Sequence, residues 1–363
     1  MSRAVFMNRW FSVTTEALST RSASAAGPWR LTLVTDPDDC NLACAMCPCG
    51  AARARGGPRA PPRRMAPALA LGVLEERRGS PLRELIPSTM GEPLLWPALP
   101  ELLARAAALG LRGNVTTNGT FPGRGAAGWA EVLVPACRDV KISWNGATPA
   151  TAAAVMPGLD LDAAVEAVRA LVAARDRHAA RGGARCSVSF QVTAREDNVA
   201  ELPGIVRLAA RLGVDRVKLN QLQVRSPDLA ALSLRRSPGA IARWNAAARA
   251  VREAAAEALA RHGRAPALEN AVELAPDPAA PAPRGPCPFA GREAWIHPDG
   301  RLAPCPHPAA AAGGLGDFGS VADAPLGALW AAPAFRAFVA PGPGGHPVHP
   351  LCDGCAFRRP GGA

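Results

Sequence analysis

Residues 31–47 read LTLVTDPDDCNLACAMC. The opening LTLVT (31–35), rich in β-branched and apolar residues, predicts a strand. Cys40, Cys44 and Cys47 follow it directly, in a loop at the strand's C-terminal end, which is where parallel-strand proteins place their active sites. Three thiolates in so short a loop can wrap one side of an iron–sulfur cubane and leave its fourth iron without a protein ligand, open to a substrate. The competing reading is a structural zinc site, which needs four closed ligands. Cys49 could supply the fourth, but Pro48 stiffens the segment, and one intervening residue leaves little slack for two sulfurs on one tetrahedral metal. Cys49 is therefore read as a spare thiol.

Outward from this loop, β-like runs alternate with helical patterns as far as residue 222. Strands are predicted at 31–35, 85–90, 113–117, 139–144, 187–193 and 214–222, which argues for βα units and a parallel sheet. The helix predicted over 198–213 has Asn198 as N-cap, an apolar stripe of Leu202, Ile205, Val206 and Leu212, and Gly213 as its left-handed stop. Strands covered by helices on both faces are almost continuously apolar. Here Ser143 and Asn145, then Ser187, Ser189, Gln191 and Thr193, then Lys218 and Asn220 recur at every second position. One polar face on successive strands predicts a curved sheet around a ligand-filled cavity; strand ends exposed at a rim are the alternative.

The CxxxCxxC spacing after the first strand of a six-fold βα series resembles the cluster motif of the radical S-adenosylmethionine (SAM) superfamily. Met90-Gly91-Glu92-Pro93 after the second strand resembles that family's Gly-Glu motif, which contacts the methionine amino group of SAM. Thr116-Thr117-Asn118-Gly119 resembles its TNG turn. Ser143-Trp144-Asn145-Gly146 ends the fourth strand where the family binds the ribose, and Gln191 on the fifth is a candidate for the same pocket. Each of these is an ordinary turn when taken alone. Four polar motifs at the ends of successive strands, on the rim that carries the cysteines, point to one site.

The resemblance implies a partial (β/α)6 barrel in which a [4Fe–4S] cluster on Cys40, Cys44 and Cys47 binds SAM. It further implies reductive cleavage of SAM to a 5′-deoxyadenosyl radical, which takes a hydrogen atom from the substrate. The cofactor carries that chemistry, so no side chain need act as a base. Gly91, Glu92, Pro93, Thr117, Asn118, Ser143, Asn145 and Gln191 are the SAM-site residues this implies.

A second cysteine group lies beyond residue 286. Cys287 and Cys305 bracket a predicted hairpin with its turn at Asp299-Gly300, and Cys352-x-x-Cys355 closes the set. Leu326, Leu329, Trp330, Phe335, Phe338 and Val339 mark a short apolar helix or helices between the pairs. Four cysteines in this order could hold a zinc ion or a second cubane. The segment resembles the SPASM/twitch extension of radical SAM enzymes, including its Gly-x4-Cys element at Gly300–Cys305. With no further cysteines after Cys355, the twitch form with one auxiliary [4Fe–4S] cluster is the better match.

The expected organisation is an N-terminal extension (1–30), a barrel with its following helix (31–262), a Pro/Ala-rich linker (263–286) and an auxiliary-cluster domain (287–363). The expected substrate is a small molecule or a peptide. The thirty residues before the first strand leave little room for a leader-recognition or cobalamin domain, which favours the small molecule. The resemblance also implies a flavodoxin- or ferredoxin-type electron donor. The competing class is a non-catalytic iron–sulfur sensor or zinc-stabilised protein, which would not need the Gly91–Pro93 and Asn118 pocket.

Composition excludes other classes. Of 363 residues 48% are hydrophobic and 20% charged, and no apolar run approaches a membrane span or a secretion signal, so a cytoplasmic location is expected. Ten cysteines in such a chain read as metal ligands rather than disulfides, with Cys137 and Cys186 as lone core thiols. The net charge of +11 comes with only two lysines, abundant Arg, Ala, Gly and Pro, and no Tyr, the bias that GC-rich codons produce. The arginine run from 53 to 64 has no interleaved aromatics and reads as a solvated loop. No nucleic-acid partner is expected.

Overall fold

The computed structural model describes residues 26–47, 50, 63–77, 79–87, 90–224, 226–277, 285–355 and 357–358. Cys49, residues 1–25 of the N-terminal extension and residues 53–62 of the arginine run lie outside them. The chain forms two compact units, one of Thr32–Leu74 and Glu84–Ala280, the other of Met1–Leu31, Glu75–Arg83 and Pro281–Ala363.

In the larger unit strands and helices alternate. The order is β1 (Arg30–Leu33), α1 (Pro67–Glu75), β2 (Glu84–Ile86), α2 (Leu99–Ala108), β3 (Arg112–Thr117), α3 (Gly125–Ala136), β4 (Cys137–Ser143), α4 (Pro149–Val155), α5 (Leu161–Ala180), β5 (Ser187–Ala194), α6 (Leu202–Leu212), β6 (Arg216–Gln221), α7 (Pro238–His262) and β7 (Ala267–Glu269). Strands β1 to β7 lie side by side in chain order, and β2 to β7 pair in parallel. This is the partial (β/α)6 barrel, extended by one short strand.

One strand face is a continuous apolar layer. Val140, Ile142, Val188, Phe190, Val192, Val217 and Leu219 are at most 1% exposed, and the Trp144 ring stacks on Phe190 at 4.5 Å. The alternate positions form the polar face expected from the sequence, with Lys141 beside Ser189, Ser143 beside Gln191, Gln191 beside Lys218 and Thr193 beside Asn220. Much of this face is internally paired. Asp139 accepts from Ser189 Oγ at 2.7 Å and from Arg216 Nη2 at 2.8 Å, while Glu269 takes Arg216 Nη1 at 2.7 Å and Lys218 Nζ at 3.1 Å.

Two local expectations are corrected. Residues 267–269, inside the segment read as linker, form β7 because Glu269 can meet the two cations of β6 across a parallel register. Asn198 stands at the N-cap of a 3-10 turn, Val199–Glu201, but its side chain makes no capping bond there. Its Oδ1 accepts from the Arg195 N–H and its Nδ2 donates to the Asn145 and Thr193 carbonyls, so it ties two strand ends together, and α6 starts only at Leu202. Gly213 does end α6 in the left-handed conformation, at φ 75°.

The smaller unit contains the predicted hairpin, β8 (Glu293–Ile296) and β9 (Leu302–Ala303), antiparallel and turned at Asp299-Gly300, where Gly300 has φ 86°. Four short helices follow: α8 (Pro308–Ala311), α9 (Leu326–Ala331), α10 (Pro333–Val339) and α11 (Pro350–Asp353). The apolar stretch between the cysteine pairs is two helices because Pro333 can open a helix but not continue one. Trp330 and Phe335 pack as their core, at ring centroids 4.9 Å apart. Among the described residues no helix is long and apolar enough to cross a membrane.

Candidate functional site

The cysteine loop leaves the end of β1. Its thiols are half-buried, and Cys40 Sγ accepts from the Leu42 N–H at 3.4 Å and from Asn118 Nδ2 at 3.7 Å. Burial, then the nearby Glu92 and Cys47, raise the Cys40 thiol's pKa against these two donors. Burial, then Cys47 and Cys40, push Cys44 up to about 12. Thiols that resist ionisation through burial and mutual repulsion are stabilised as thiolates by cationic iron, so the donor set fits the implied cluster.

Glu92 is the hub of the neighbouring turns. Its side chain is fully enclosed, Oε1 accepting from Leu94 N at 3.1 Å and Thr117 Oγ1 at 2.8 Å, and Oε2 from Asn118 N at 2.7 Å. Its own N–H donates to Asp39 O at 2.7 Å. One residue thereby joins the loop after β2, the turn after β3 and the approach to Cys40. Burial pushes its carboxyl up to about 7, with the three donors acting in the opposite sense. Pro93 opens the short 3-10 turn that Glu92 caps. Gly91 has φ 69°, and a Cβ on it would stand 2.2 Å from Asp36 O and 2.6 Å from Asp39 O. Only glycine allows this approach.

Asn118 continues the chain of contacts. Besides Cys40 Sγ, its Nδ2 reaches Asn41 Oδ1 at 2.8 Å, and its Oδ1 accepts from Thr120 N and Oγ1. Ser143 and Gln191 are half-buried register partners on the polar face. Asn145 is 3% exposed, and its Oδ1 accepts from Thr193 N at 2.7 Å, so this atom locks β4 to β5.

Several site residues were not apparent in the sequence. Arg64 bridges Asp36 at 2.8 Å and Asp39 at 3.0 Å, and Arg63 grips Asp38, so the end of the arginine run holds the DPDD segment before Cys40. The signal was opposite charge in two short blocks. Arg195, 4% exposed, is held by Asp197 and donates to Met46 Sδ at 3.4 Å, inside the cysteine loop. Glu201 accepts from Ala147 N, Thr148 and Thr151, fixing the loop after β4.

In the smaller unit Cys287, Cys305, Cys352 and Cys355 line one cavity, together with Phe289, His346 and Arg358. Burial raises the Cys287 thiol; burial and neighbouring thiols push Cys305 to about 12 and Cys352 to about 11. Arg358, 8% exposed, donates to Gly285 O at 2.8 Å and Cys352 O at 3.1 Å, stitching the two ligand segments together. Among the described residues no three His, Cys, Asp or Glu side chains are gathered as a single metal ion would require. Four thiols around one cavity are a donor set for a metal centre.

A parallel partial barrel with a three-cysteine loop at the end of β1 is the architecture of a radical SAM enzyme. Residues 35–209 match the model of the radical SAM superfamily, and residues 287–356 match that of SPASM, an iron–sulfur cluster-binding domain. The chain belongs to the radical SAM superfamily and carries a SPASM domain.

Solved structures share the fold. SuiB of Streptococcus suis bound to SAM is 13% identical, with a TM-score of 0.61 over 87% of this chain and 68% of that one. SuiB bound to the precursor peptide SuiA gives 13% and 0.59, over 85% and 66%. Native anSMEcpe with bound AdoMet and Cp18Cys peptide gives 14% and 0.58, over 86% and 82%. The chain thus spans about two thirds of SuiB's length. No curated protein matches it.

Proposed function

We propose that this enzyme cleaves SAM reductively at a [4Fe–4S] cluster held by Cys40, Cys44 and Cys47, and that a second [4Fe–4S] cluster is held by Cys287, Cys305, Cys352 and Cys355. When bound, cluster and SAM together supply a 5′-deoxyadenosyl radical that removes a hydrogen atom from substrate. The carrying observation is the contact chain from Glu92 through Asn118 to Cys40, which joins three separate motifs at one rim.

The protein's share is positioning and exclusion of water. Gly91 brings the loop after β2 onto the cysteine loop, and Glu92, fixed by three donors, sets the carbonyls and N–H groups of two turns toward the SAM amino acid. Asn118 orients Cys40. Ser143 and Gln191 offer hydroxyl and amide groups at the end of the polar face, suited to a ribose. Thr117 acts through Glu92, and Asn145 through the β5 backbone.

The polar face of β4 to β6 suits a polar substrate, a peptide or a small molecule. The peptides bound to SuiB and anSMEcpe support the peptide. The electron donor is of the flavodoxin or ferredoxin type.

The test is anaerobic reconstitution followed by reduction with dithionite and quantification of 5′-deoxyadenosine from SAM. Stoichiometric zinc without iron, or an iron-loaded protein that forms no 5′-deoxyadenosine, would overturn the reading.

A further inference from the structure

The seat of His346 is over-determined. Gly342 N donates to its carbonyl at 2.8 Å, and the preceding Gly345 accepts from the N–H of Cys287 at 2.9 Å. A Cβ on Gly344 would stand 2.5 Å from Cε1 of the ring and 2.7 Å from Nδ1, so glycine there keeps room for the imidazole. Nε2 lies 3.0 Å from Arg358 Nη1 and 2.9 Å from Asp353 Oδ1. The ring lines the cavity of the four thiols, and its Nδ1 is buried with no hydrogen-bond partner among the described residues.

Arg358, 8% exposed and bonded to three backbone carbonyls, keeps its protons and its direction, so Nε2 accepts from it and the ring proton sits on Nδ1, while the Asp353 carboxylate, 67% exposed, turns to water. The opposite tautomer, with a bare Nδ1 able to ligate iron, would aim the Nε2 proton at the guanidinium. His307, also on the cavity wall, is already committed, its Nδ1 accepting from Ala309 N at 3.1 Å. A buried N–H without an acceptor is costly, and a cluster in the cavity would bring sulfurs as acceptors.

We propose that His346 donates an Nδ1–H hydrogen bond to the auxiliary cluster and raises its reduction potential. The proposal rests on the reading that the four cysteines hold a [4Fe–4S] cluster. A donor to sulfur stabilises the more negative, reduced state, which is how hydrogen bonding tunes such clusters. Arg358 is the positioning residue that fixes the tautomer.

The experiment uses the full chain with Cys40, Cys44 and Cys47 changed to Ala, which leaves one cluster of about four irons to observe. Its midpoint potential is measured by EPR-monitored redox titration with His346, His346→Gln and His346→Phe. The expected result is unchanged iron, a lower midpoint for His346→Phe and an intermediate one for His346→Gln, which retains a donor. An unchanged midpoint at equal iron content overturns the proposal. Should His346→Phe lose its iron, pulsed EPR of the His346 protein decides. Weak coupling to an exchangeable proton and to 15N-labelled histidine supports the donor; no coupling, or one as strong as a direct ligand's, overturns it. An iron-free triple-Ala background that is otherwise folded overturns the cluster reading itself, and the donor role with it.

Discussion

The backbone N–H of Asn118 donates to Glu92 Oε2 at 2.7 Å, so the turn after β3 is held by a carboxylate from the loop after β2. Glu92 thereby acts as an internal fastener whose oxygens are both committed. Replacing it with Ala should weaken SAM binding roughly ten- to a hundredfold, about 1.5–3 kcal/mol, by releasing three donors at once. The cluster should stay assembled, because no ligand is removed. Glu92→Gln should fall between, since its amide can accept from Asn118 N but must turn an NH2 toward Leu94 N or Thr117 Oγ1. Equilibrium dialysis with SAM measures this, and unchanged affinity in Glu92→Ala would reduce the MGEP segment to a simple turn.

The same burial has a pH signature. Glu92's carboxyl is raised from 4.5 to about 7 in the folded protein. An acid with a raised folded pKa contributes stability that is complete below its unfolded pKa and lost as pH rises through the folded one. The SAM-free protein should lose on the order of 3 kcal/mol from this group between about pH 4.5 and 7. Glu92→Gln lacks that titration. The Tm difference between wild type and Glu92→Gln, followed from pH 5 to 8, should move against the wild type as pH rises; a flat difference would contradict the buried ionisation.

The sequence made the barrel and its motifs legible because each rests on a local signal: β-branched runs, a stripe ending at Gly213, and cysteines three and four apart. What escaped it depends on pairing across the chain. Nothing local joins Arg64 to Asp36, or marks Glu269 as the residue that turns part of a linker into β7. Asn198 has the chemistry of a cap, yet strand ends 53 and five residues away claim its amide. Glu92 was visible as a motif member, but its inward direction was not, since a Gly-Glu-Pro turn can present the carboxylate either way. Arg358 and His346 carry no motif, and their roles exist only once the two cysteine segments meet.

Arg64 should matter to stability more than Arg63. The Asp36 side chain is fully buried and takes Arg64 Nε at 2.8 Å, whereas Arg63 is 73% exposed on its pair with Asp38. Removing one partner from a buried pair strands the other charge, while exposed pairs contribute little. Arg64 is itself 39% exposed, which moderates the loss. Arg64→Met should cost roughly 1–3 kcal/mol and Arg63→Met under about 1 kcal/mol in urea unfolding. Equal losses from the two variants would show that the clamp before Cys40 is not electrostatic.

The two cysteine groups should load independently. Wild-type protein reconstituted anaerobically should hold about eight irons, and replacing either Cys40, Cys44 and Cys47 or Cys352 and Cys355 by Ala should remove about half. Only the first replacement should abolish SAM cleavage, because only that cluster keeps an open iron. Cys49→Ala should retain iron and cleavage alike. Iron lost from the Cys49 variant would place that thiol in the ligand set and revive the closed-site reading.

The sharpest structural test is Gly91→Ala. Gly91 has φ 69°, and its absent Cβ would fall 2.2 and 2.6 Å from the Asp36 and Asp39 carbonyl oxygens, both backbone atoms of the segment leading to Cys40. Left-handed strain alone costs about 1–2 kcal/mol. Gly263, at φ 66° with nothing within 4 Å of an added Cβ, isolates that cost. Gly263→Ala should therefore lose about 1 kcal/mol and keep full iron and SAM binding. Gly91→Ala must also push the cysteine loop away from the loop that carries Glu92, so it should lose distinctly more stability, along with SAM binding and about half the iron. Urea unfolding, iron analysis and SAM dialysis on both variants separate these effects. If Gly91→Ala behaves as Gly263→Ala does, the close approach of the two loops is not what builds the site.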